Sequence, residues 1–212
     1  MAYTEWETSR LTALLAKVPE AVTYHHTPIL GEMEQIAVDR LNKEVPPEAQ
    51  TLADSIAIFR YLAERYAYLG RFQPSAWLYN RALVLASQLY RERGVETEYA
   101  GEMLYQAVKA HNFYVDDDCA SLLALCRDFL PDAEKIAREA LSPRRHLNHD
   151  PVEMTEDYLA VIDEAEAYIE ENRTFHGHGS CHEVWQLKRN FLAARGIRWR
   201  SPAVLNPGVH FD

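Results

Sequence analysis

Residues 56–87 read IAIFRYLAERYAYLGRFQPSAWLYNRALVLAS, and the period of this stretch decides the fold. Its apolar positions Ile56, Phe59, Leu62, Ala63, Tyr66 and Leu69 recur at steps of three and four, which lays one apolar stripe along a helix. Gly70 stops that run, and Pro74 falls where a first helical turn tolerates proline. A second run follows through Leu78, Tyr79, Ala82, Leu83, Ala86, Leu89 and Tyr90 and ends at Gly94. The short connection from Gly70 to Pro74 makes the two helices antiparallel neighbours.

The same grammar extends in both directions. Upstream, Thr4–Val18 and Glu32–Lys43 read as helices, separated by a His25–Pro28 loop and followed by Pro46-Pro47. Downstream, Glu96–Asn112 carries Tyr99, Met103, Ala107 and Ala110 on one side. Asp116, Asp117 and Asp118 then open a run with Leu122, Leu123, Cys126 and Phe129, where three carboxylates suit the positive end of a helix dipole. Pro131 closes it, and Asp132–Leu141 is a further short helix. Ser142–Pro151 is a loop and a subdomain boundary. Val152–Asn172 has an apolar stripe and an acidic opposite face, with eight acids and no Lys or Arg. Ser180 and Glu183 form an S-x-x-E capping box ahead of the last helix, and Gly196 stands at its C′ position. Ile197–Asp212 is too apolar for a free tail and is expected to fold back over the last helix pair, with capping of the superhelix or a place in its groove as the alternatives. The expectation is an all-α chain of four helix pairs without a strand. It forms a single domain over 1–212, with a subdivision into 1–142 and 152–212.

Composition limits the function classes. The chain has 212 residues, and its eight glycines and ten prolines are a smaller share than the roughly 12% of average proteins, which argues against a turn-rich β fold. A formal charge of −10 argues against nucleic-acid binding by phosphate neutralisation. No stretch approaches the roughly 18 apolar residues of a membrane span, and mean hydropathy is −0.34. The first ten residues lack the basic and apolar regions of a secretory signal. Three cysteines, with Cys119 and Cys126 two helical turns apart, fit reduced thiols in a cytoplasmic protein.

The segment Ile56–Ser87 resembles a tetratricopeptide repeat (TPR). Phe59 fills its large aromatic slot, Leu62-Ala63 its Leu-Gly slot, Tyr66 the first-helix tyrosine and Gly70 the turn glycine. Phe72, Ser75, Tyr79 and Ala82-Leu83 occupy the matching slots of the second helix, while the closing proline is absent. A looser copy runs from Ala100 to Pro131, with a period of 44 measured from Ala82 to Cys126 rather than the family's 34. The resemblance implies a short TPR-like superhelix whose first helices line a concave groove for a protein or peptide partner. Groove positions map onto Arg60, Glu64 and Tyr68 in the first copy, and onto Leu104, Val108, His111 and Asn112 in the second. The Lys and Asn residues that clamp a peptide carboxylate in some members are not reproduced; Arg60 is the one substitute.

Twelve of the 23 aromatic residues lie between Phe59 and Tyr114. Packing accounts for Phe59, Tyr66, Phe72 and Tyr79, whereas Tyr61, Tyr68 and Trp77 fall off the stripe and are candidates for contact with a partner. A second constellation is His176-Gly177-His178-Gly179-Ser180-Cys181-His182-Glu183. His176, His178, Cys181 and His182 are metal-ligand types for zinc or another divalent ion, with His25, His26, His146 and His149 able to complete the set. Their spacing matches no standard zinc module, and the plainer reading is a flexible loop entering a helix. Cys181 in a first helical turn beside His182 also suggests a thiol nucleophile, although neighbours on a helix point about 100° apart. Nucleotide-loop, serine-hydrolase and zinc-protease motifs are all missing. The functional expectation is therefore a non-catalytic, TPR-like adaptor without a cofactor. A metal- or thiol-dependent enzyme centred on His176–Glu183, and an acidic inhibitor of a basic partner, are the alternatives.

Overall fold

The computed structural model describes residues 3–43, 46–112, 119–141 and 147–211. Among them the regular structure is ten α-helices and two 3₁₀ turns, and there is no strand. The described residues up to Leu141 form one compact unit and those from Leu147 onward form a second. The Asp116–Asp118 helix opening, His146 and the first half of the Ser142–Pro151 loop lie outside the described residues.

The first unit contains α1 (Glu5–Leu15), α2 (Thr27–Lys43), α3 (Ala49–Tyr68), α4 (Phe72–Arg93), α5 (Ala100–Asn112), α6 (Ala120–Cys126) and α7 (Ala133–Ala140). Helix α1 starts on a reciprocal cap, in which Glu7 N–H donates to Thr4 Oγ1 at 3.2 Å and Thr4 N–H to Glu7 Oε2 at 2.8 Å. Burial works to raise the Glu7 carboxyl. The Thr4 hydrogen bonds and the nearby Arg40 and Lys43 outweigh it and hold the group below the usual range. Helix α2 begins earlier than the expected Glu32, because a 3₁₀ turn over Tyr24–His26 leads directly into Thr27 and leaves Pro28 in the first helical turn.

Helices α3 and α4 carry the segment that the periodicity picked out. Gly70, at φ +71°, closes α3 with two bonds: Arg71 N–H to Tyr66 O and Gly70 N–H to Ala67 O, both 2.9 Å. This Schellman arrangement needs a left-handed residue, which glycine adopts without a Cβ penalty. Arg71 is buried and reaches α2, donating from Nη1 to Thr27 Oγ1 at 3.2 Å. The core comes from the expected stripe residues, among them Phe59, Leu62 and Ala63 of α3 and Tyr79, Ala82 and Leu83 of α4. Helix α2 packs against α3, α4 packs against α5, and α5 packs against α7. Helix α5 starts at Ala100, four residues beyond the expected Glu96.

The second unit contains α8 (Glu156–Asn172), α9 (Ser180–Ala193) and α10 (Pro202–Leu205), preceded by a 3₁₀ turn over Pro151–Met154. The expected helix start at Val152 is displaced to Glu156. Asp150 caps the 3₁₀ turn, and Thr155, in extended backbone, caps α8 by accepting from Tyr158 N–H. The Ser180–Glu183 capping box is not formed. Gly179 at φ +84° opens α9, and the Glu183 carboxylate turns back to the preceding loop instead. At the far end Gly196 repeats the α3 solution, with Ile197 N–H on Leu192 O and Gly196 N–H on Ala193 O, both 3.0 Å. Tyr158, Ile162, Ala165, Phe191, Leu192, Ile197 and Trp199 form a separate small core.

The segment from Ile197 folds back as expected and is clasped by polar groups. Buried Asp150 accepts from Arg200 N–H at 2.7 Å and from Arg200 Nε at 3.1 Å. The Trp199 indole donates to Glu153 Oε1 at 2.6 Å, and Asn148 and Asn206 exchange hydrogen bonds of 2.8 and 3.0 Å. Burial acts to raise both carboxyls. Arg200 outweighs it at Asp150, and His149, Lys188 and Trp199 outweigh it at Glu153, so both groups sit below the usual range. The acidic α8 and basic α9 regions are packed neighbours, with Arg195 on Glu164 at 3.0 Å and Lys188 Nζ over the Trp199 ring at 4.8 Å.

Candidate functional site

Helices α1, α3 and α5 are the first helices of their pairs, and the expected groove residues distribute unevenly over them. Arg60 on α3 is half-buried and faces α5: its guanidinium lies 3.7 Å from Glu64 and from Glu102 and stacks 3.8 Å over the Tyr99 ring. Its charge is thus matched by two carboxylates. Tyr68 is 63% exposed at the end of α3, and Trp77 is 64% exposed on α4. Phe59, Tyr66 and Tyr79 are buried, and Phe72 is half-buried.

The second copy needs a correction. Leu104 and Val108 are fully buried in the core and face no groove. These α5 positions fall on the buried face of the helix, which packs against α4 and α7. His111 and Asn112, at the end of α5, remain half-buried.

An open cleft of about 480 Å³ lies between α1 and α3, with Met33 of α2 among its lining residues. Helix α2 packs against both α1 and α3. One wall is Thr8, Leu11, Thr12 and Leu15, and the other is Asp54, Ala57, Ile58 and Tyr61. Each set is spaced i, i+3, i+4, i+7, so each is a single helical stripe. Tyr3 and Arg60 complete the lining. Tyr3 Oη and Ser55 Oγ are 2.8 Å apart, and burial pushes the Tyr3 phenol up to about 12, so it is a neutral hydrogen-bonding group at neutral pH. Tyr61 is held against the Arg65 guanidinium, 4.8 Å from its ring, and Arg65 is itself anchored on Glu20 O at 2.9 Å. Asp54 accepts a 2.8 Å hydrogen bond from the neutral amide of Gln50.

The α1 wall was not singled out in the sequence. Its signal was present as Thr8-Leu11-Thr12-Leu15, but the threonines weaken the apolar period, and Leu14, which is buried, competes with Leu15 for the stripe. Tyr61 was singled out, and it lines the cleft.

The histidine-rich segment is organised around a different interaction. Glu183 accepts from Thr174 N–H, Thr174 Oγ1–H and Phe175 N–H at 3.0, 2.8 and 2.9 Å, and these bonds hold its carboxyl below the usual range. His182 meets the Trp185 ring edge-on at 5.3 Å, Cys181 Sγ faces Phe211 O at 4.0 Å, and His176 and His178 are exposed. His176, His178, Cys181 and His182 do not converge, and among the described residues no three His, Cys, Asp or Glu side chains are placed to share a metal ion. Cys119 and Cys126 are buried, and burial pushes the Cys126 thiol up to about 12, which keeps it a thiol. Among the described residues no helix is long and apolar enough to cross a membrane. Compared with known proteins, the chain matches no family model, no curated sequence and no solved structure.

Proposed function

We propose that this chain is a non-catalytic module that binds a segment of another protein along its first helices, in the manner of a TPR-like repeat. The observation that carries this reading is the cleft between α1 and α3, walled on both sides by helical stripes that contain solvent-facing apolar groups. An open, mostly apolar concavity on rigid elements suits recognition, because little ordering is needed before a partner can bury area. Packing at the repeat positions supports the TPR-like part: Ala63, Ser75 and Ala82 are buried and small, so the α3 and α4 backbones approach closely, while Phe59, Tyr66 and Tyr79 fill the space around them. Arg60 acts as a brace between α3 and α5 in this reading, and Tyr61 and Leu11 make the contacts. The cytoplasm is the compartment that fits three free thiols.

Affinity capture from the native lysate tests the reading. The wild-type chain and the Leu11→Ala/Tyr61→Ala variant are compared, each checked for intact helicity. A partner recovered by the first and lost by the second is the expected result. Equal recovery of every partner by the two chains overturns it.

A further inference from the structure

Two properties of the α1/α3 cleft narrow its occupant, on the reading that the cleft binds a protein segment. The first is backbone chemistry. Both walls are α-helices whose main-chain groups are already bonded within the helix, so among the described lining residues an extended peptide's N–H and C=O groups meet no ladder of main-chain partners and only the scattered polar side chains of Thr8, Tyr61, Asp54 and Arg60. The Thr12 hydroxyl donates to Thr8 O at 2.8 Å, and Tyr3 is engaged with Ser55. An extended segment would leave most of its buried backbone polar groups without partners, whereas a helix brings its own hydrogen bonds and needs mainly apolar contact. Each wall spans eight residues, a rise of about 10 Å along the helix, which matches two turns of a ligand.

The second property is charge. Among the described residues, the formal charges in the lining are Asp54 and Arg60. Arg60 is turned to Glu64 and Glu102, whereas Asp54 is bonded to a neutral amide. The Asp54 end of the cleft therefore carries a negative charge that a cationic partner complements. We propose that the cleft seats an amphipathic helix from another protein, its apolar stripe lying between α1 and α3 and one Lys or Arg facing Asp54.

The experiment is selection of displayed random peptides of about 15 residues, four helical turns, on the full chain, followed by solution affinities of synthetic copies. Expected winners have apolar residues spaced i, i+3 or i+4, i+7 with a Lys or Arg beside them. Ala57→Trp, which fills the cleft from an exposed position, weakens them at least about tenfold, the size of one well-packed contact. Asp54→Asn weakens basic peptides about threefold and leaves neutral copies unchanged, as for an exposed ion pair. A proline in the middle of the peptide abolishes binding, because a helix cannot hold it there. Failure to enrich any peptide overturns both this inference and the broader reading. Peptides that bind Ala57→Trp as well as wild type overturn the cleft and the broader reading that rests on it. Winners that tolerate central proline, or that ignore Asp54→Asn, overturn the helical or the cationic occupant and leave the broader reading standing.

Discussion

The two units of this chain hold together by different means. The unit up to Leu141 is built on apolar packing: Phe59, Leu62, Leu83, Met103 and Leu104 are fully buried, and the charges bordering the cleft sit at its surface as exposed or half-exposed pairs. Among its described residues the unit from Leu147 has a smaller apolar core, built around Tyr158, Ile162, Phe191, Leu192 and Trp199, and adds a clasp of Asp150, Glu153, Asn148 and Asn206 onto Trp199, Arg200 and the main chain around them. The difference follows from size. A long helix pair buries enough hydrocarbon to be stable on that alone, whereas a short pair with a folded-back segment needs directional bonds to fix where that segment lies.

The largest expected effects test the apolar half of the comparison. Phe59→Ala, in the centre of α3, is expected to cost about 3–5 kcal/mol, as for other buried aromatic truncations. Chemical denaturation measures the loss, and hydrogen exchange should place it in the α3–α5 amides. A loss below about 1 kcal/mol would mean that the first unit does not depend on this stripe.

Asp150→Ala removes the acceptor for three Arg200 donors and for Val152 N–H, and should cost about 1–3 kcal/mol in the second unit. Leaving Arg200 N–H without an acceptor should speed exchange from Trp199 to Asn206. Unchanged exchange there would remove the clasp from the account.

The next expectation is a pH dependence. The Asp150 and Glu153 carboxyls lie below their ordinary values in the folded chain, so their contribution is fully present at neutral pH. It is lost as pH falls below about 4 and through the depressed values. Acid should therefore loosen the second unit, seen as exposure of Trp199, and Asp150→Asn/Glu153→Gln should remove that acid step. An unaltered acid transition in the double variant would break the assignment.

The smallest effect is expected at Arg60. Its pairs with Glu64 and Glu102 are at the surface, so Arg60→Ala should cost under about 1 kcal/mol of stability and shrink further in salt. A larger loss would make this brace a structural element of the first unit.

Most of the fold was readable because helical period is local: the α3 stripe, the Gly70 and Gly196 closures and the folded-back apolar segment all follow from residues close in sequence. Helix starts were less readable. Tyr24–His26 forms a turn that runs into α2, and Asp150 and Thr155 split one expected helix into a 3₁₀ turn and α8, since capping choices depend on which side chain reaches which N–H. The candidate site was half readable. Tyr61 stood out because it leaves the packing stripe. The α1 wall did not, because Leu11 and Leu15 gain meaning only opposite α3.

The sequence alone thus determined that the chain is helical, where its principal pair turns, and that Phe59, Tyr66 and Tyr79 pack inward, since each depends on spacing within about two turns of helix. Only the tertiary structure decided the rest. It turned Leu104 and Val108 inward, committed Glu183 to the Thr174–Phe175 backbone instead of a capping box, and set α1 opposite α3 to leave an open cleft. These outcomes depend on the distance between groups far apart along the chain, and that distance is set by packing rather than by any local period.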